Sequence, residues 1–188
     1  MNTQKSITVV GISGSLRTNS HTLKTVQIAL NGALDAGAHT QLIDLNDFHL
    51  PLCNGNTPES NYPENVFKLR EIVLRADGII LGTPEYHGGV SGVLKNALDL
   101  LGIKEFENKM VGLVGVAGGA QGAIHSLDSL RISCRSLRAW VTPQQASIAF
   151  TGNAFDESGK LKDSNLEQRV LDVGKQVTEF SRIHKINP

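Results

Sequence analysis

Several features that would place this chain in a special class are scarce or missing. Aromatic residues make up 5% of the 188 positions, and the two cysteines, Cys53 and Cys134, form no C-x-x-C pair. Two isolated thiols provide neither a disulfide framework nor a zinc site, and they suit a reducing cytoplasm. No apolar run approaches the roughly 20 residues that a membrane-spanning helix needs. These absences predict a cytoplasmic protein without disulfide bonds or membrane contact.

The chain also lacks an excess of charge of either sign. Eighteen Lys and Arg balance 18 Asp and Glu. Nucleic-acid and anionic-membrane partners select basic surfaces, so the natural partner here is a small molecule. The first six residues are polar and precede an apolar strand, without the pattern of a secretory signal. No H-E-x-x-H motif or carboxylate cluster accompanies the histidines, so we assign no metal ligand.

Apolar content of 40% and charged content of 19% are ordinary for a globular domain,. A chain of 188 residues suffices for one α/β domain and is short for two, which predicts a single domain over residues 1–188,.

β-branched runs alternate with amphipathic helical patterns along the chain. The predicted strands cover residues 7–12, 40–43, 78–81, 109–116 and 140–148. The predicted helices cover about 20–36, 63–75, 90–101, 124–137 and 164–180, with a long loop at 44–62. Ser164 and Glu167 have the spacing of a capping box at the start of the last helix,. This order predicts a doubly wound parallel sheet with helices on both faces, whose ligands bind beyond the carboxyl ends of the strands.

The turn after the first strand, residues 13–22, is rich in hydroxyl groups and ends in a helix. Unpaired N–H groups of the helix, Ser and Thr hydroxyls and the Arg17 guanidinium together suit a phosphate. The glycines do not have the G-x-G-x-x-G spacing of a dinucleotide site,. A mononucleotide phosphate fits better; the alternative is a surface turn whose Ser and Asn residues cap the helix.

The turns after the third and fourth strands, 83–89 and 115–122, are rich in glycine. Tyr86 offers an aromatic wall and the glycines leave backbone groups open, a combination that a planar heterocycle needs. The alternatives are a turn begun by Pro84 with a half-buried tyrosine, and a tight turn ahead of a helix.

Taken together, the turns resemble the NADPH-dependent FMN reductase family, which includes chromate, quinone and azo reductases. The resemblance rests on G-S-L-R-x-x-S at 14–20 and on P-E-Y at 84–86 followed by G-V-L-K-N-A-L-D at 92–99, with Gly118-Gly119 beyond them. It extends over residues 7–143. It implies a flavodoxin-like fold with strand order 2-1-3-4-5, FMN as cofactor, NADPH or NADH as reductant, and a homodimer or homotetramer whose subunits meet near the flavin.

In this resemblance Ser15, Arg17 and Ser20 hold the FMN phosphate, while the second and third turns follow the ring and the ribityl chain. The complete set of candidate cofactor-binding residues is Ser13, Ser15, Arg17, Ser20, His21, Thr22, Pro84, Glu85, Tyr86, His87, Gly88, Gly118 and Gly119. No catalytic acid or base is assigned, because hydride transfer is chemistry of the flavin. We expect a ping-pong cycle in which NAD(P)H reduces FMN, leaves, and is replaced by an oxidised acceptor.

Three positions depart from the family pattern. His87 and Thr22 stand where the family often has Asn, and Leu100 replaces a frequent Trp. Separately, arginines at 131, 135 and 138 recur at helical spacing, which indicates either a solvated helix face or a contact for the 2′-phosphate of NADPH,.

The same turns fit more than one function. The acceptor of a reductase can be free flavin, a quinone or a similar oxidant, and the enzyme can retain or release its FMN. The alternatives are an FMN-binding electron carrier and a flavin-sensing module that do not oxidise NAD(P)H.

Overall fold

The computed structural model describes residues 6–56, 58 and 61–186, and its centre is a parallel sheet. The strands are β1 (Ile7–Ser13), β2 (Ala38–Asp44), β3 (Gly78–Tyr86), β4 (Gly89–Val90), β5 (Met110–Val116) and β6 (Trp140–Ile148). The five long strands lie parallel in the order β2-β1-β3-β5-β6, and β4 pairs antiparallel with the end of β3. Counted over the parallel strands alone, this is the predicted order 2-1-3-4-5, which is confirmed.

Helices connect the strands. They are α1 (His21–Asp35), α2 (Glu64–Arg75), α3 (Gly92–Leu100), α4 (Ile103–Phe106), α5 (Ile124–Ser136), α6 (Thr151–Ala154) and α7 (Ser164–Ile186). Serine caps two of them, because the Ser20 hydroxyl accepts the N–H of Leu23 and the Ser91 hydroxyl accepts that of Leu94, each at 3.2 Å,. None of the helices in the described ranges is both long and apolar enough to cross a membrane.

The sheet is covered on both faces, as predicted. On one face α1 and α7 pack over β1, with Val26, Leu30, Val173 and Val177 fully or almost fully buried. On the other face α2, α3 and α5 supply a second apolar core. Their N-terminal ends meet the carboxyl ends of the strands, where the three candidate turns lie.

The end of the third strand differs from the prediction. We expected the strand to end at Leu81 and the next helix to begin at Val90, but β3 continues through Tyr86, and Val90 belongs to β4. His87 and Gly88 form a two-residue hairpin turn with φ of 53° and 76°. Positive φ at both positions is typical of a type I′ turn, so a hairpin replaces the predicted open turn.

Other boundaries differ more locally. The predicted capping box of Ser164 and Glu167 is wrong, because the Asp163 carboxylate accepts the N–H groups of Asn165 and Leu166. The long loop contains a 3₁₀ turn at Leu45–Asp47, and part of the predicted loop, residues 57, 59 and 60, lies outside the described residues. The short helices α4 and α6, of four residues each, have too few positions to show a period,.

Candidate functional site

The turns after β1, β3 and β5 meet at one edge of the sheet. The Gly14 N–H donates to the Gly82 carbonyl at 2.8 Å, and the Ser91 hydroxyl donates to the Gly14 carbonyl at 2.6 Å. A small pocket of about 70 Å³ lies between the turns. Its lining residues are Ser15, Arg17, Ser20, His21, Thr22, Pro84, Glu85, Tyr86, Val116, Ala117, Gly118 and Thr151. Parallel strands thus bring together residues that are more than 130 positions apart in sequence.

The first turn presents hydrogen-bond donors to this pocket. The Ser20 hydroxyl uses a lone pair to cap α1, and the Ser15 hydroxyl accepts the Arg17 N–H at 3.4 Å, so both O–H groups remain able to donate outward,. The first turn of α1 has no acidic residue to oppose an anion,. The Ser13 hydroxyl is buried and has no hydrogen-bond partner among the residues that the structure describes. This donor set fits a phosphate group.

His21 is held at the start of α1 by an aromatic contact. Its ring stacks on Phe155 with 4.7 Å between centroids and 10° between planes. Burial, with smaller contributions from Lys24 and Arg17, lowers the pKa of His21. A nearby anion would oppose this effect by favouring the protonated ring.

The second turn is fixed to its neighbours through its side chains. Thr83 Oγ1 accepts the N–H of Ser91 at 3.1 Å, and a Glu85 carboxylate oxygen accepts the N–H of Ser126 at 2.9 Å. Tyr86 is 46% exposed and lines both the small pocket and a larger groove beside it. The turn is therefore rigid at its base and offers one aromatic ring at its edge.

The third turn is open above its glycines. A Cβ built on Gly118 or Gly119 would meet no atom within 4 Å. Below them, the Ala117 N–H donates to Ile148 at 2.9 Å, and the Thr151 N–H donates to Ala117 at 3.1 Å. The third turn thus has open space above its glycines, while hydrogen bonds hold the neighbouring backbone in place.

The larger groove has a volume of about 830 Å³ and lies between residues 45–52 and α3. Leucines dominate its lining, together with Tyr86 and Val93, and among the described residues His49 is the only ionisable side chain there other than Tyr86. Leu16 and Leu52 are 51% and 83% exposed. This rim of the small pocket is apolar.

The structure brings most of the predicted site residues together but not all of them. Ser13, His87, Gly88 and Gly119 do not line the small pocket. His87 and Gly88 form the exposed hairpin turn, and Ser13 is the last residue of β1. His is among the non-glycine residues that tolerate positive φ, so its place where the family has Asn preserves the turn.

Sequence reasoning missed three lining residues, Val116, Ala117 and Thr151. Val116 and Ala117 follow directly from the path of β5 toward the third turn, which the strand pattern itself indicated. Thr151 had no signal, because no motif marks the short segment after β6 in which its N–H donates to the Ala117 carbonyl.

Two of the three arginines considered for NADPH are engaged within the chain. Arg131 donates to Gln145 at 2.8 Å, and Arg138 forms an ion pair with Glu107 at 2.9 Å. These contacts already engage two of the three guanidinium groups, which disfavours a 2′-phosphate contact, and Arg138 lies beyond the end of α5 rather than on a helix face.

Comparison with known proteins agrees with the geometry of the site. A family model described as NADPH-dependent FMN reductase matches residues 7–153. An NADPH azoreductase of Bacillus sp. (strain OY1-2) is 37% identical over 145 residues, covering 77% of this chain and 79% of that protein. An FMN-dependent NADPH-azoreductase of Staphylococcus aureus is 34% identical over 174 residues, covering 90% and 92%.

Solved structures share the fold. FerB of Paracoccus denitrificans, a flavoenzyme NAD(P)H:(acceptor) oxidoreductase, superposes with a TM-score of 0.76 at 21% identity, covering 92% of this chain and 98% of FerB. The parallel sheet, the donor-rich first turn and the extent of the family match agree with one another. The chain therefore belongs to the NADPH-dependent FMN reductase family, and it is an oxidoreductase that uses FMN as its flavin and NAD(P)H as its reductant.

Proposed function

We propose that FMN binds where the three turns meet, with its phosphate in the small pocket, and that the chain reduces a small organic acceptor, with azo compounds as the first class to test. The observation that carries this proposal is the convergence of the three turns, with donors on one side and open glycines on the other. The two curated relatives that are 34–37% identical are named azoreductases, which supports the choice of acceptor.

In this proposal the residues divide the work by chemistry. Ser15, Arg17 and Ser20, with the amino-terminal N–H groups of α1, bind the phosphate. Pro84, Tyr86 and Gly118 lie along the ring and the ribityl chain. Ser13, His21, Thr22, Glu85, His87, Gly88 and Gly119 complete the proposed cofactor site.

Bound FMN supplies hydride acceptance from NAD(P)H and hydride donation to the acceptor. The protein binds FMN, orients it, and leaves one side of the flavin accessible to the reductant and the acceptor. Among the described residues, the lining of the groove beside Tyr86 includes no Arg, Lys, Asp or Glu, which favours uncharged acceptors over oxyanions,.

We also propose that a second copy of the chain covers part of this apolar rim. Leu16, Leu52 and Tyr86 are exposed side by side around the groove, as in an interface with an apolar centre,. Sedimentation of the purified protein tests this directly, and a monomer at micromolar concentration would contradict it. Both cysteines are free thiols, which supports a cytoplasmic location,.

The first experiment is anaerobic reduction of the purified protein loaded with FMN. NADPH, then NADH, is added while the flavin absorbance is followed, and an azo dye, a quinone and free FMN are offered as acceptors. We expect rapid bleaching by NADPH and recovery of the colour with the azo dye. Bound FMN that neither nucleotide bleaches would instead indicate an electron carrier or a sensor. Loss of the yellow colour on dialysis would indicate an enzyme that releases FMN.

A further inference from the structure

The start of α5 lacks the features that normally complete a helix amino terminus. Its N-cap residue, Ala123, has no side chain that can accept a hydrogen bond, and the first turn of the helix contains no acidic residue. Unsatisfied N–H groups and the positive end of the helix dipole are both concentrated there. This 13-residue helix therefore begins after a buried residue, Ala123, without a cap of its own.

Two other elements supply what α5 lacks. Ser147 on β6 accepts the N–H of Ala123 at 2.8 Å, and Glu85 at the end of β3 accepts the N–H of Ser126 at 2.9 Å. The Glu85 bond crosses 41 positions of sequence. Its carboxylate is the one acidic group shown bound to the start of this helix within the described residues.

Glu85 is also a lining residue of the proposed FMN pocket. The residue after it is Tyr86, and the third turn, with Gly118, leads into α5 through Ala123. One side chain thus joins the second turn to the helix that follows the third turn, and it places a carboxylate beside the pocket.

We propose that Glu85 is a positioning residue that locks the second turn to the start of α5, and that its charge makes bound FMN harder to reduce. The second half of this inference rests on the proposed function, because it requires FMN in the pocket. Reduction adds negative charge to the flavin, and a fixed carboxylate opposes that charge while occupying the helix dipole that would otherwise favour it. The chain thereby keeps its reduced flavin a stronger reductant toward the acceptor.

Two variants of Glu85 separate its bond from its charge. Glu85→Gln keeps an oxygen that accepts the Ser126 N–H and removes the charge, whereas Glu85→Ala removes both. Ser126→Ala is the matched control, because the Ser126 hydroxyl is buried without a partner and the backbone N–H remains.

The lock is tested first on the protein without FMN. Amide hydrogen exchange at Ser126 is expected to accelerate at least tenfold in Glu85→Ala and to change little in Glu85→Gln and Ser126→Ala, since an exposed amide loses protection. Unchanged exchange in Glu85→Ala would overturn the lock whether or not the protein binds FMN.

The charge is tested on the FMN-loaded protein by the midpoint potential and by the ratio of dissociation constants for reduced and oxidised FMN. In Glu85→Gln the potential is expected to become more positive, and reduced FMN to bind roughly tenfold tighter relative to oxidised FMN, the order of magnitude for the loss of one nearby charge. An unchanged or more negative potential would overturn this role. Wild-type protein that binds no FMN would refute the proposed function and this half of the inference together, while the exchange result would still decide the lock.

Discussion

Two pairs of glycines in this protein have opposite surroundings. Where α1 crosses α7, a Cβ on Gly174 would overlap the carbonyl oxygen of Ala29, and one on Gly32 would overlap that of Leu171. At the third turn, a Cβ on Gly118 or Gly119 would meet nothing within 4 Å. The first pair is required by the chain's own packing. The second pair leaves a space that the chain does not fill.

The crowded pair is expected to contribute to the stability of the fold, and the open pair to the binding of a ligand. Where a neighbouring backbone occupies the position of the Cβ, glycine is required for packing. Its replacement is therefore expected to change the free energy of unfolding. A glycine with empty space above it and no positive φ has no such cause within the chain, and at Gly118, which lines the small pocket, a bound ligand would account for the space,. Substitutions at the two kinds of position are expected to have opposite signatures.

The largest expected effect is on the helix crossing. Gly174→Ala should lower the free energy of unfolding by about 3 kcal/mol, because the cost of separating two backbones exceeds the ~1 kcal/mol that Ala gains over Gly in a helix. Urea denaturation measures it. A variant as stable as wild type would show that the two helices can move apart at little cost. The distinction between crowded and open glycines would then not hold.

The second largest expected effect concerns the positive charge of Arg17 at the proposed phosphate site. Arg17→Ala should raise the FMN dissociation constant roughly 10- to 100-fold, the size of one charge-assisted hydrogen bond, without changing the urea midpoint. Fluorescence titration measures the affinity. Arg169→Ala, an exposed arginine on α7, serves as the control and should bind FMN like wild type. An Arg17 variant with unchanged affinity would remove this residue from the site.

The third effect tests the open glycines directly. Gly118→Ala should weaken FMN binding about tenfold by occupying the space above the turn, with a change in unfolding free energy within about 0.5 kcal/mol. Gly152→Ala is the matched control, because its Cβ also meets no atom within 4 Å but the residue lies outside the pocket lining. Equal FMN affinity in both variants would mean that the space over Gly118 is incidental.

The smallest effect is a dependence on pH at the first turn. Because burial lowers the pKa of His21 from its model-compound value of 6.5, the unfolded chain takes up this proton first as the pH falls,. Stability from this group is therefore present above pH 6.5 and is lost as the pH falls from there toward the folded-state pKa. NMR titration of the ring should give a lower pKa for His21 than for a His in an unfolded peptide.

Adding FMN should raise that pKa, since the phosphate favours the charged ring. In His21→Phe, which preserves an aromatic stack on Phe155, this part of the pH dependence should disappear. A ring pKa that FMN leaves unchanged would place the phosphate away from His21.

Much of the fold could be predicted from local pattern. Buried parallel strands such as β1 and β5 are almost continuously apolar, and helices such as α1 carry a clear apolar stripe, so both were located to within a residue or two. The hairpin at His87 was missed because His is an uncommon residue for a turn with positive φ. The capping box failed because Asp163, one position earlier, is an equally good cap and lies at the position where the helix begins,.

The site was predictable where one contiguous turn carries the chemistry. Ser15, Arg17 and Ser20 lie within six positions of one another before a predicted helix, and the family resemblance then identified these three as phosphate-binding candidates. Glu85 shows the limit of this reasoning. The family resemblance of Pro84-Glu85-Tyr86 marked it as a candidate for the cofactor site, but its bond to Ser126 depends on two segments that meet only in the folded sheet.

The sequence by itself determined the order of strands and helices and the donors of the first turn, because those properties arise from neighbouring residues and their periodicity. The tertiary structure decided which glycines are crowded and which are open, and that Glu85 completes a helix on another element. Distances between segments depend on how the sheet twists and how its helices pack. These properties involve many residues together, so a local pattern along the chain does not specify them.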